Sequence, residues 1–238
     1  MFILGDSGAG KSTFSTRLEQ GRWDAYKAGG RIPLFIDLKA VHNLDQDLIQ
    51  QHLASLSMFS ASHMKNLSSR GFIVICDGYD ECQSRSNLYT NNQFNKPNQW
   101  KTKMIISCRT QYLTPEYRAY FAPQQDEISN LGLSPTELFT EAVIVPFKVD
   151  QIKEYIAQYT AITDASDNRP ISEPRWTNDH YMERLEKIAN VMDLIKNPFM
   201  LRMVLDILPK IAPTTTEITL FSSTTNLWIC ITKTSRSG

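Results

Sequence analysis

Residues 2 to 13 read FILGDSGAGKST: three apolar residues, a glycine-rich loop, and the first turn of a helical stretch running from Ser12 to Gln20. Gly5-Asp6-Ser7-Gly8-Ala9-Gly10-Lys11-Ser12 fits G-x-x-x-x-G-K-[ST] without a gap, directly after a strand-like run and directly before a helix. Glycines at these offsets let backbone N–H groups turn inward around phosphate oxygens, and the helix N-terminus adds positive potential. Lys11 is then expected to bridge phosphates, Ser12 to offer its hydroxyl to Mg²⁺, and Thr13 to reach an α-phosphate. A plain glycine turn before a helix needs neither the lysine nor three glycines at these positions.

The rest of the chain supplies the context that such a loop requires. Short apolar runs (Phe2 to Leu4, Ile32 to Leu38, Phe72 to Cys76, Lys103 to Cys108, Ala142 to Val145) alternate with helix-length segments. Continuous apolar runs with this spacing indicate a parallel sheet covered on both faces, hence an α/β fold. After Pro146 the expected elements are helices: Val149 to Tyr159, Asn178 to Met192, and Pro198 to Leu208 closed by Pro209, with a loop at TDASDNRPISEP (163 to 174). The expected organisation is a nucleotide-binding domain over 1–146, a helical subdomain over 147–213, and a poorly ordered Ser/Thr-rich tail over 214–238 with one β-like island, LWICIT.

Charge excludes little but directs attention to sites. Lys plus Arg and Asp plus Glu both number 25, so nothing in the balance argues for nucleic acid or a membrane surface as a partner. No apolar run reaches the roughly 18 to 20 residues of a membrane span, and no signal-type segment opens the chain; a cytoplasmic location is expected. The four cysteines, Cys76, Cys82, Cys108 and Cys230, lack metal-ligand spacing and read as reduced thiols, most of them buried.

A loop that binds Mg-nucleotide needs a carboxylate from a neighbouring strand, and FIVICDGYDE provides Asp77 after five apolar or thiol residues. Asp77 and Ser12 are the expected metal-binding pair. The position after Asp77, where related sites carry a glutamate that polarises the attacking water, is Gly78. The candidate base is therefore Glu81 or Asp80, displaced by a few residues; the alternative is a solvated acidic corner. KMIISCRT carries Arg109 just past its apolar run, a cation at the C-terminal edge of a strand, which could sense a γ-phosphate or be an ordinary surface arginine.

The set GDSGAGKST, RIPLFIDL, FIVICDGYDE, IISCRT, VPFKVDQIKEYI and NPFMLRMVL, in that order, resembles the NACHT family of signal-transduction P-loop NTPases, from the first residues to about Pro213. The DGxDE form (Asp77, Gly78, Asp80, Glu81) and the trailing helical block are its specific parts. The resemblance implies a three-layer sandwich with a mostly parallel five-stranded sheet followed by a small helical domain. It implies that the Arg109 strand lies between the loop strand and the Asp77 strand, and that Pro198 contacts adenine; from residues alone Pro198 is a helix-start proline. It also implies ATP/ADP and Mg²⁺ as cofactors, and self-association or signalling partners reached through flanking domains. The family's locking histidine has no counterpart, since His42, His52, His63 and His180 all precede NPF. The chain is accordingly expected to be a nucleotide-binding core detached from its neighbours.

Four functions compete at this point: a nucleotide-dependent switch with slow ATP hydrolysis, an inactive nucleotide-binding scaffold, a small-molecule kinase, and a GTPase. For the kinase, the insertion at 83–100 carries only Arg85 and Lys96 as basic lid residues. For the GTPase, Asn95-Lys96-Pro97-Asn98 lacks the carboxylate that guanine recognition needs at its fourth position.

Overall fold

The computed structural model describes residues 1–57, 61–82, 87–117, 121, 140–166, 176–210, 217–222 and 227–232. They divide into two compact units, Met1–Ile144 and Val145–Gly238.

The first unit is built on five strands: β1 (Phe2–Leu4), β2 (Ile32–Asp37), β3 (Gly71–Asp77), β4 (Lys101–Cys108) and β5 (Glu141–Val143). Their order in the sheet is β2-β3-β4-β1-β5 and every neighbouring pair is parallel. The Arg109 strand thus lies between the loop strand and the Asp77 strand. Helices α1 (Lys11–Asp24), α2 (Leu48–Ser55), α3 (Ala61–Ser68) and α4 (Leu88–Asn91) occupy the crossovers. A parallel pair demands such connections, because the chain must return to the same sheet edge before the next strand begins. Short strand β1, buried at all three positions, is paired on both sides, to β4 and β5.

Alternation along the strands sends Phe2, Leu4, Ile36, Phe72, Val74, Cys76, Ile106 and Cys108 into one apolar cluster with Leu38, Leu48, Leu88, Phe94 and Trp100. Edge-to-face aromatic pairs knit it: Phe72 with Trp100 at 5.4 Å and Phe2 with Phe121 at 4.9 Å between ring centroids. Full burial of side chains this size contributes roughly 1.5–3 kcal/mol each. The residues of opposite parity, Ile3 and Ile75, are also fully buried, so the sheet is covered on both faces, as the unbroken apolar runs require.

The 87–100 segment is more ordered than an insertion needs to be. Asn92 is buried; its side-chain oxygen accepts the Leu48 N–H at 2.8 Å, and its amide donates to the Leu44 and Leu88 carbonyls. Asn95 exchanges two hydrogen bonds with the Thr102 backbone and donates to the Tyr89 hydroxyl. The residue that matched a guanine-reading asparagine is committed to holding the entry of β4.

The second unit contains α5 (Val149–Ser166), α6 (Asn178–Glu186), α7 (Val191–Leu194) and α8 (Pro198–Ile207). Its own apolar cluster includes Ile152, Ile156, Tyr181, Leu185, Val191, Ile195, Leu201 and Val204. Two boundaries differ from expectation. The helix expected from Asn178 to Met192 stops at Glu186, because Asn190 takes the left-handed conformation (φ 60°) and starts a separate short helix. Helix α5 continues through Ser166, into the first part of the expected 163–174 loop; residues 167–174 of that loop lie outside the described residues. Within 214–238, β6 (Glu217–Ser222) and β7 (Leu227–Thr232) form an antiparallel pair that takes up the LWICIT island. No helix among the described residues is long and apolar enough to cross a membrane.

Candidate functional site

The loop from Gly5 to Gly10 leaves the C-terminal end of β1 and turns into α1. Gly8 and Gly10 have φ of +73° and +94°, values that L side chains rarely adopt, and Gly10 caps the helix with no side chain of its own. At Gly5 the constraint is space: a Cβ there would sit 3.3 Å from the Ala9 Cβ and 3.4 Å from the Ile144 Cβ. No acidic residue occupies the first turn of α1, so nothing on the helix itself offsets the positive potential of its N-terminus. The Lys11 ammonium folds back across the loop and donates to the Gly5 carbonyl at 2.9 Å and the Asp6 carbonyl at 3.0 Å. Burial pushes its pKa below the ordinary lysine value; Asp80 and, more weakly, Asp77 oppose that shift, while Arg109 reinforces it. Ser12 and Thr13 are exposed on the first turn of α1, and Asp6 and Ser7 are exposed on the loop.

Parallel register brings the other side chains to the same sheet edge. Leu4 pairs with Cys108 across β1 and β4, and Cys76 with Ile106 across β3 and β4, so one residue further on Asp77 stands abreast of Ser107. The Ser107 hydroxyl donates to Asp77 Oδ1 at 2.6 Å and accepts the Gly78 N–H at 2.9 Å. Gly78 is left-handed (φ +81°), which turns the chain into a 3₁₀ turn at Tyr79–Glu81. Tyr79 is buried against Phe121, anchoring that turn to the core.

Asp80 and Glu81 therefore point back toward β4. The Arg109 backbone N–H donates to Asp80 Oδ1 at 2.8 Å, and the Arg109 Nε lies 3.0 Å from Oδ2, off the line of a hydrogen bond. Only 1% of the Asp80 side chain is exposed. Arg109 Nη2 also reaches Glu81 Oε1 at 3.4 Å, and its guanidinium lies 5.8 Å from the Tyr112 ring centroid. Lys39 ion-pairs with the other oxygen of Glu81 from the 3₁₀ turn that follows β2. Asp37, in register with Asp77 on the adjacent strand, accepts the Lys39 N–H at that turn.

Asp77, Asp80, Glu81 and Arg109 thus meet beside the Gly5–Thr13 loop, all in the first unit. Pro198 belongs to the second unit, where it is the first residue of α8 and the Asn197 side chain caps the helix by accepting the Phe199 and Met200 N–H groups. Two residues of the site escape the sequence reading. Ser107 carries a faint signal, a hydroxyl directly after the apolar run 104–106 and one step before the end of β4; Lys39 carries none, because its partner is set by tertiary structure.

The donors near the loop are hard oxygens, the class Mg²⁺ takes. Among the described residues no group of three or more His, Cys, Asp or Glu side chains is arranged to hold a metal ion alone. One carboxylate and one hydroxyl, Asp77 and Ser12, fit a Mg²⁺ that draws its remaining ligands from phosphates and water.

No protein-family model matches the chain, and no curated protein matches it in sequence. Solved structures do match. The Aeropyrum pernix ORC2 protein in its ADP form superposes with a TM-score of 0.52 at 11% identity, over 88% of this chain and 56% of that one. The same protein with ADPNP and ADP gives the same values. The fold is that of a P-loop NTPase. The chain spans little more than half the length of the ORC2 chain. The cytoplasmic domain of the Thermomonospora curvata Type VII secretion ATPase EccC aligns at a TM-score of 0.31 and 14% identity, too loosely to bear on the fold.

Proposed function

We propose that this chain is the ATP/ADP-binding switch core of a NACHT-type signalling NTPase, with slow Mg²⁺-dependent ATP hydrolysis. The observation that carries the reading is the meeting of Lys11, Asp77 and Arg109 at one sheet edge, beside a glycine loop that opens a helix with no acidic residue in its own first turn. ATP and ADP differ by one phosphoryl group, so a residue that pairs with it binds the two states unequally and shifts a population. Arg109 is such a residue: it is held by Asp80 and Glu81, and a γ-phosphate would compete for its guanidinium. Lys11, already poised across the loop, exchanges backbone carbonyls for phosphate oxygens. Bound Mg²⁺ supplies charge neutralisation on the phosphates, with Ser12 and Asp77 holding it. Glu81 is the accessible carboxylate to take a proton from water, and Asp80, with only 1% of its side chain exposed, acts in this scheme as the clamp on Arg109. Gly5 to Thr13 cradle the phosphates. Nucleotide-bound ORC2, in its ADP and ADPNP forms, lends the fold a precedent for this use. Self-association or signalling partners belong to the same reading.

One observation favours a second reading, an inactive nucleotide-binding scaffold. Each carboxylate oxygen of Glu81 is already paired with a cation, one with Lys39 and the other with Arg109, so a water proton would have to compete with those ion pairs. A small-molecule kinase and a GTPase have no comparable support.

Thermal denaturation with ADP, ATP and GTP, each with and without Mg²⁺, tests the proposal in the parent chain and in Lys11→Ala. Adenine nucleotides should raise the melting temperature of the parent and leave Lys11→Ala unchanged. Equal shifts in both proteins, or a preference for GTP, would overturn it.

A further inference from the structure

Ser107 has no role in the sequence reading, yet it is 1% exposed and makes two hydrogen bonds that reach the centre of the site. A serine hydroxyl has one proton to donate, and here that proton goes to Asp77 Oδ1 at 2.6 Å, the short distance of a charge-assisted bond. The Ser107 Oγ in turn accepts the Gly78 N–H at 2.9 Å. One atom therefore fixes both the carboxylate and the backbone that follows it.

We propose that Ser107 is a positioning residue for the metal site: it holds Asp77 Oδ1 by a hydrogen bond and so presents Oδ2 toward the hydrated Mg²⁺ of a bound nucleotide. The inference rests on the nucleotide-binding reading above. Three features support it beyond the bonds themselves. Register makes the contact an outcome of the sheet, since the residues facing one another beyond Cys76 and Ile106 are Asp77 and Ser107. Buried and hydrogen-bonded on both sides, the hydroxyl has little freedom to turn away. The Gly78 N–H, which the left-handed turn aims at β4, would be left unpaired without it. A carboxylate held at one oxygen has its other oxygen oriented in advance, and orienting partners of this kind typically govern metal affinity by 10–100-fold.

The test uses Ser107→Ala, Ser107→Cys and Ser107→Thr in the full chain. Cysteine is close in size to serine but is a weak donor, and threonine keeps the hydroxyl. For each protein the affinity for ADP in EDTA is measured, and Mg²⁺ is then titrated into the ADP complex with melting temperature as the readout. Expected are ADP affinities in EDTA within twofold of the parent for all three, and Mg²⁺ midpoints raised roughly 10-fold or more in Ser107→Ala and Ser107→Cys. Ser107→Thr should return the midpoint to within threefold of the parent. A lowered melting temperature with an unchanged Mg²⁺ midpoint in either Ala or Cys assigns Ser107 to stability alone and overturns the proposal. So does failure of Thr to restore the midpoint. If Ser107→Ala does not fold, the Cys and Thr pair decides alone. A parent protein that ignores ADP altogether overturns the nucleotide-binding reading, whereas a parent that binds ADP while all four proteins share one Mg²⁺ midpoint overturns only the role of Ser107.

Discussion

Arg109 holds Asp80 twice, donating its backbone N–H to Oδ1 at 2.8 Å and bringing its guanidinium Nε within 3.0 Å of Oδ2. Removing either partner leaves the other in a different condition. Arg109→Ala strands a carboxylate of which 1% is exposed, and should cost about 2–3 kcal/mol of unfolding free energy by urea titration. Asp80→Asn keeps an oxygen for the Arg109 N–H and should cost about 1–2 kcal/mol. The double variant should cost less than the sum, by about 1 kcal/mol; strict additivity would show that the pair contributes nothing specific.

Glu81→Gln separates the two functional readings. If Glu81 takes the proton from water, ATP turnover measured by phosphate release should fall by roughly 10²–10⁴-fold while ADP affinity stays within a few-fold of the parent. Parent turnover indistinguishable from the Gln variant favours the inactive scaffold.

Asn92→Ala removes a side chain that serves three backbone groups on two segments of the first unit. Its loss leaves the Leu48 N–H and the Leu44 carbonyl without their partner, so destabilisation of about 2–4 kcal/mol is expected from chemical denaturation. Asn98→Ala, an exposed position in the same loop, should cost less, because what it gives up is asparagine's tolerance of the left-handed φ of 60° rather than a set of buried hydrogen bonds.

Cys82 gives a pH signature. Burial, with Asp80 and Asp37 adding to it, pushes its thiol from 9.0 up to about 11. The folded protein keeps the thiol protonated further up the scale than the unfolded chain does. Cys82 therefore adds stability that is complete below about pH 9 and is lost as pH rises toward 11. Alkylation at pH 8, followed by peptide mass spectrometry, should label Cys82 more slowly in the native protein than in urea; equal rates would refute the shift.

The parts of this molecule that the sequence made legible are those where one residue type can satisfy a local requirement. Gly8 and Gly10 stand where φ is positive, Lys11 follows the third glycine, and Asp77 ends an apolar run, so each is recognisable in isolation. The strand pattern was readable because burial on both faces leaves an unbroken apolar string. What it could not convey was pairing across the sheet. Ser107 looks like a small filler until register sets it beside Asp77, and Lys39 like a surface cation until the end of β2 comes near Glu81. Asn190 illustrates a third kind of miss: the apolar periodicity continues across it, while a single left-handed residue divides the helix. The asparagines at 92 and 95, read as part of a polar insertion, are structural because their amides replace backbone partners.

The two apolar clusters have no residue in common, one belonging to the strands and their crossovers, the other to the helices that follow. Cooperativity need not extend across the whole chain, so calorimetry can resolve two melting events instead of one. A small molecule gripping only the glycine loop would raise one of those events and leave its companion where it was. One touching both halves would draw the two temperatures together, which makes the calorimetric trace a direct report of how far a ligand reaches.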